Sequence, residues 1–209
     1  MYTVFSARFV VRESLREELQ VMGSRFQDGG LFKSVLIGDG AVGKTSIRRR
    51  YMGDEFTEGH LATIGVDFAQ KWVSFEGATV RWVIWDLSGQ PTFQTVRKHY
   101  YTGSSGIILV YSVNDRDSFD NASKWLVEAY KYMGELPPTA IVANKIDLRE
   151  SYAEGSLVST DEGREFADYF RDKLEIPAVF IETSAKTGAN IEHMFTELLR
   201  LIAEEETQI

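Results

Sequence analysis

Nine residues constrain this chain more than any others: "GDGAVGKTS", residues 38 to 46, directly after the apolar run "LFKSVLI". Glycine is a poor choice for a regular element, so three glycines around one lysine mark a turn that wraps something. The spacing fits G-x-x-x-x-G-K-[ST]. It stands between a predicted strand at 31–37 and a helix opening at 44–52, the context this motif needs. Without Cβ atoms the backbone bends until successive N–H groups converge on phosphate oxygens, and the helix N-terminus adds its positive end. Lys44 then supplies a full charge to the outer phosphates, and the Thr45 hydroxyl is placed to ligate Mg²⁺. The competing reading is a glycine-rich strand-to-helix turn with an incidental lysine.

Further along, apolar runs alternate with segments of helical period: "GIILVYSV" before 118–133, "TAIVANK" before 160–174, and "AVFIETS" before 190–202. In the last helix Ile191, Met194, Phe195, Leu198, Leu199 and Ile202 share one stripe. "VDFAQKWVSF" and "TVRWVIWD", separated by "EGA", read as a hairpin, which adds one antiparallel edge. The expected fold is therefore α/β: a mixed, mostly parallel six-stranded sheet with helices on both faces. Such sheets bind ligands at the carboxyl ends of their strands.

With 209 residues, 44% of them hydrophobic, the chain suffices for one compact domain and a short appendage. A net charge of −8 argues against a nucleic-acid partner and against a polybasic membrane anchor. The sequence has no cysteine, which excludes disulfides, thiolate metal sites and lipid attachment through sulfur. No apolar run reaches about 18 residues, and "MYTVFSARFVVRE" is not built as a signal peptide, so a cytoplasmic protein is expected.

A phosphate loop alone leaves adenine and guanine open. "NKID" addresses the base, because Asn144, Lys145 and Asp147 follow the strand at 139–143. An aspartate carboxylate accepts two hydrogen bonds, from guanine N1–H and its 2-amino group, and adenine offers neither donor. By itself "NKID" also suits a polar loop after a strand.

Five motifs now stand in order: "GDGAVGKT" from 38, "TIG" from 63, "DLSGQ" from 86, "NKID" from 144 and "ETSAK" from 182. Over about residues 31 to 203 the chain resembles Ras-superfamily small GTPases, and residues 63 to 121 resemble the Rab family without a gap. The resemblance implies a P-loop G domain at 31–209, preceded by an extension at 1–30. It implies that Asp39, Gly40, Ala41, Val42, Gly43, Lys44, Thr45 and Ser46 cradle the phosphates, and that Phe56 sits edge-on against guanine. Asn144 belongs to the base loop, Lys145 and Lys186 flank the base, Ser184 supports Asp147, and the Ala185 N–H donates to the guanine carbonyl. Thr63 would complete the Mg²⁺ shell with Thr45, while Asp86 holds the ion through water. Gly89 would give its N–H to the γ-phosphate. Gln90 would orient the attacking water, with Lys44 and Thr63 as the other catalytic groups. The contacts of Thr63 and Gly89 exist only with GTP, so hydrolysis to GDP releases both loops. Effectors, an exchange factor and an activating protein are the implied partners of a monomer. Phe68, Trp85 and Tyr100 match the aromatic triad that Rabs present beside the switches, against the plainer reading of core aromatics.

The chain departs from the Rab pattern at several points. Pro91 follows Gln90 where Rabs usually carry glutamate, and proline pushes the preceding residue toward extended backbone. His60 stands where a tyrosine commonly closes over the phosphates. No arginine matches a cis finger, so slow unassisted turnover is expected. "LIAEEETQI" holds no prenylation cysteine and Tyr2 replaces the glycine that myristoylation needs, so no lipid anchor is expected and at most peripheral membrane contact. Two alternatives to a hydrolysing switch stay open: a GTP-binding interaction module with little hydrolysis, and a P-loop kinase or ATPase, which leaves "NKID" and "TSAK" without a role.

In the extension, Leu15, Leu19, Met22 and Phe26 recur at helical spacing behind the strand formers of "TVFSARFVV". A disordered tail, a membrane-surface helix and a segment docked on protein compete here. The expectation is docking, because Arg12, Arg16 and Arg25 are balanced by Glu13, Glu17 and Glu18.

Overall fold

The structure, a computed structural model, describes residues 29–57, 63–153 and 156–208. The expectations for residues 1–28 and for His60 lie outside the described residues.

The strands are β1 (Leu31–Ile37), β2 (Val66–Phe75), β3 (Ala78–Leu87), β4 (Gly106–Ser112), β5 (Thr139–Asn144) and β6 (Ala178–Thr183). They form one sheet in the order β2-β3-β1-β4-β5-β6. β2 runs antiparallel to β3, as the hairpin predicts, and the remaining pairings are parallel. β4 is buried at every residue, "GIILVYS", because a central parallel strand is covered on both faces and has no side left for water.

The helices are α1 (Lys44–Met52), α2 (Gln94–Tyr101), α3 (Arg116–Asp120), α4 (Ala122–Met133), α5 (Thr160–Leu174) and α6 (Ile191–Gln208). One core joins α1 and α6 to one sheet face: Tyr51 stacks on Phe195 with centroids 3.7 Å apart, and Trp82 meets Phe195 edge-on. The other core sets Tyr101, Trp125, Leu126, Ala167 and Phe170 of α2, α4 and α5 against the opposite face. All six residues of the predicted α6 stripe are buried.

Three differences from the sequence expectation matter. The predicted helix at 118–133 is two helices with a break at Asn121, and Asp115 caps the first by accepting from the Ser118 N–H. α2 has no counterpart among the predicted helices. α6 runs six residues past the predicted end at 202, to Gln208.

Candidate nucleotide-binding cleft

β1 delivers the chain to the glycine-rich loop at the carboxyl end of the sheet, and α1 begins at Lys44. Gly43 has φ 102°, a left-handed value, and a Cβ there would run into the Asn144 side-chain amide. Gly89 lies on the backbone of Asp39 and Gly40, with no room for a Cβ. Glycine is thus required where two loops press on the turn. Lys44 is buried and donates to the carbonyls of Gly38 (2.8 Å) and Asp39 (2.6 Å). Burial pulls its ammonium pKa down to about 8, with Asp86 and Asp39 opposing that fall and Arg97 adding to it.

Beside Lys44, the Thr45 hydroxyl lies 2.8 Å from that of Thr63 and donates to Asp86 Oδ2 at 2.5 Å. Asp86 is fully buried, and burial holds its carboxyl above the usual carboxylate range despite the Thr45 bond, Lys44 and Arg48. Its Oδ1 has no hydrogen-bond partner among the described residues. Two hydroxyls and a carboxylate with one free oxygen are hard oxygen donors of the kind Mg²⁺ takes, so these residues fit that ion. Arg48, also buried, donates to Asp67 Oδ2 at 2.5 Å and approaches Asp86 Oδ2 at 3.9 Å.

Across the loop lie the residues expected around the base. Asn144 is buried and makes three bonds to protein: its amide donates to the Val42 carbonyl (2.8 Å), and its oxygen accepts from Thr183 and from the Ala185 N–H, each at 3.2 Å. The Ser184 hydroxyl donates to Asp147 Oδ1 at 2.5 Å. Lys145 is held at φ 68°, and burial lowers its pKa against the opposing pull of Asp115 and Asp147.

Two adjoining cavities, of about 270 and 340 Å³, divide these groups between them. The first takes Gly40, Lys44, Thr45, Thr63, Gly89 and Gln90, the second Asn144, Lys145, Asp147, Ala185 and Lys186. Ala41, Gly43, Ser46 and Phe56 line both. The structure therefore gathers the described site residues named from sequence into one continuous cleft, apart from Asp39, Val42, Asp86 and Ser184. Those four brace its walls by bonding Lys44, Asn144, Thr45 and Asp147 respectively.

The walls also contain residues that motif reading missed. The Asp39 carboxylate accepts from Asn121 Nδ2 (2.8 Å) and Trp125 Nε1 (2.7 Å). The break between α3 and α4 falls at Asn121, whose side chain turns to the phosphate loop instead of continuing a helix surface. Arg97 of α2 is likewise buried behind the loop at 88–90. The aromatic trio does come together: Phe68 lies 4.9 Å from Trp85, and Trp85 lies 4.7 Å from Tyr100, ring centre to ring centre. Phe68 is 54% exposed, so the trio reaches the surface as well as the core.

The model of the Ras family matches residues 33–204. The GTP-binding protein ypt1 of Schizosaccharomyces pombe is 42% identical over 174 residues, covering 83% of this chain and 81% of the relative. The Ras-related protein RIC1 of Oryza sativa subsp. japonica is 42% identical over 165 residues, covering 79% and 77%. The chain belongs to the Ras family. Within it, this Ras-family chain is a Rab-like small GTPase, a switch between GTP- and GDP-bound forms. Among the described residues no helix is long and apolar enough to cross a membrane.

Proposed function

We propose that the cleft holds one guanine nucleotide with Mg²⁺, its phosphates over Lys44 and its base against Asp147, and that this chain hydrolyses GTP slowly. The observation that carries this reading is the shared lining of the two cavities, which lets a single nucleotide span both. Asp147, steadied by Ser184, accepts from the guanine N1–H and 2-amino group, and the Ala185 N–H shares its long 3.2 Å bond to Asn144 Oδ1 with the guanine carbonyl. Lys145, Lys186 and Phe56 bound the ring. The N–H groups from Asp39 to Ser46 surround the phosphates, where the Lys44 ammonium meets the negative charge that its burial favours.

Thr45 and Thr63, with Asp86 behind a water, would hold Mg²⁺, whose charge would offset that of the outer phosphate oxygens. Gln90 orients the attacking water and Gly89 offers its N–H to the γ-phosphate. Phosphoryl transfer needs little else beyond in-line positioning and charge neutralisation. None of these catalytic groups is an arginine finger, so turnover is on the order of 10⁻⁴ to 10⁻³ s⁻¹ until an activating protein completes the site. The Phe68–Trp85–Tyr100 cluster borders the two switch segments and presents their state to effectors, while an exchange factor resets it. The chain works as a cytoplasmic monomer with at most peripheral membrane contact.

The test is single-turnover loss of GTP in the parent and in Gln90→Leu, alongside competition binding of GTP, GDP and ATP. The expected result is hydrolysis slowed at least about tenfold with GTP affinity nearly unchanged, the signature of a lost transition-state interaction. ATP binding as tightly as GTP would refute the base assignment, and equal rates would remove Gln90 from the chemistry.

A further inference from the structure

Arg97 is 2% exposed and takes no part in the proposed chemistry, yet it is bonded on every edge. Its Nε and Nη2 form a two-pronged pair with the Glu128 carboxylate, both at 2.8 Å. Its Nη1 donates to two carbonyls at once, Ser88 at 3.0 Å and Gln90 at 2.8 Å. Tyr101 and Gln94 donate to the same carboxylate at 2.9 and 3.1 Å. The guanidinium carbon lies 4.6 Å from the centre of the Trp125 ring, and Trp125 is the residue that bonds Asp39. Only arginine has the planar fork to serve a carboxylate on one edge and two carbonyls on the other.

Those two carbonyls flank Gly89. In a trans peptide the N–H points opposite the C=O, and the Ser88 carbonyl shares its peptide unit with the Gly89 N–H. Holding that oxygen against α2 turns the Gly89 N–H away from α2, toward the side on which Gly89 lines the phosphate cavity. The Gln90 carbonyl, which also accepts from the Phe93 N–H at 3.1 Å, fixes the backbone from which the Gln90 side chain swings.

We propose that Arg97, clamped by Glu128, is a positioning residue that presets the Ser88–Gly89–Gln90 backbone for the terminal phosphate of GTP. The proposal rests on the functional reading in which Gly89 and Gln90 meet that phosphate. It assigns α4 two duties: Trp125 holds the phosphate loop through Asp39, and Glu128 holds the opposite wall through Arg97. A break at Arg97 therefore separates GTP from GDP, because GDP lacks the phosphate that the preset peptide serves.

The experiment uses the full chain with Arg97→Met and, as the milder change, Glu128→Gln, which keeps the arginine and removes the charge that holds it. Affinity for GDP, affinity for a non-hydrolysable GTP analogue and the single-turnover hydrolysis rate are measured for each. In Arg97→Met, GDP affinity should stay within about twofold while the analogue loses roughly tenfold, as for a hydrogen bond made only to the triphosphate. Hydrolysis should slow by about ten- to a hundredfold, the effect of misplacing a reacting group by an ångström. Added to Gln90→Leu, Arg97→Met should slow hydrolysis by less than it does alone, because the share that acts through Gln90 is already lost and only the share through Gly89 remains. Equal losses for GDP and analogue would reduce Arg97 to a structural support and overturn the proposal. Should Arg97→Met fail to fold, the same ratio in Glu128→Gln decides. If the parent does not hydrolyse GTP at all, the catalytic reading falls, and the GTP-to-GDP affinity ratio still decides the clamp.

Discussion

The two ends of the cleft are built differently. At the base end the key side chains are already bonded to protein: Asn144 joins the phosphate loop to the loop at 183–185, and Ser184 holds Asp147. At the phosphate end Asp86 Oδ1, beside Thr45, is buried without a hydrogen-bond partner among the described residues, and Lys44 is satisfied by carbonyls of its own turn. Gln90 is exposed, and Ile64, beside Thr63, is 84% exposed. On the proposed placement of the nucleotide, the difference follows the ligand. A base is the same before and after turnover, so a satisfied, rigid frame serves it, whereas the terminal phosphate comes and goes. Unpaired buried polar atoms are expensive in a permanent structure and cheap where a ligand completes them.

Asp147→Asn breaks the base end with the largest expected effect. An amide still accepts from Ser184 but no longer accepts two bonds from guanine, and it donates to the carbonyl that xanthine carries in place of the 2-amino group. Affinity for GDP should fall by roughly 10³- to 10⁴-fold while that for XDP rises, read by competition at fixed Mg²⁺. A uniform loss for both nucleotides would mean that Asp147 serves the frame instead of the base.

Next in size is Asn144→Ala, which removes the tie between the ends. It leaves the Val42 carbonyl, the Ala185 N–H and the Thr183 hydroxyl unpaired in a buried place. The expected loss is about 3 kcal/mol, or a thermal midpoint lower by roughly 6–12 °C for a domain of this size. Nucleotide-free protein should show the full loss, because the bonds exist without ligand. If the shift develops only with nucleotide bound, Asn144 acts on the ligand and the base end is not preformed.

The six strands, the antiparallel hairpin and the motif loops were legible because each has a local signature: apolar runs of strand length, a short turn between two of them, a glycine turn at fixed spacing, an asparagine and an aspartate after a strand. α2 was not, and the reason is physical. Its buried side chains are Arg97 and Tyr101, while its aliphatic Val96 is 40% exposed, so a hydrophobic period misreads it. The break at Asn121 escaped for a related reason. Asn121 and Trp125 meet Asp39 across 82 and 86 residues of chain, and nothing local announces so distant an acceptor. Asn144 was placed in the base loop from its motif, but its partner 102 residues away makes it a strut between loops. Motifs, in short runs, mark the expected ligand contacts and the supports that lie within the same run, as Ser184 does; distant supports such as Asn121, Trp125 and Arg97 are read only from the fold.

The smallest effect is expected at the rim of the base half, where α3 and α5 are joined by Arg116 and Glu162 at 2.7 Å. Glu162 also closes the capping box of α5 with Ser159, and the Arg116 and Ser159 bonds depress its carboxyl pKa from 4.5 to about 2. Because the folded value lies below the ordinary one, the stabilisation is complete above pH 4.5 and is lost as the pH falls toward 2. Arg116 and Glu162 side chains are 47% and 41% exposed, so solvent screens the pair and its worth is under about 1 kcal/mol. Glutamine keeps one oxygen for the capping bond but loses the charge and the second oxygen that accepts from Arg116 Nη1. Glu162→Gln should therefore lower the denaturation midpoint slightly at pH 7, and 1 M salt should shrink the difference. At pH 3 the gap from the parent should narrow, and the preference for guanine over xanthine should not change at pH 7. A gap that stays constant from pH 7 to pH 3 would show that the carboxylate charge contributes nothing. A changed base preference would show instead that the frame of the base end extends to the surface, and that its rigidity is not confined to the Asn144 and Ser184 bonds.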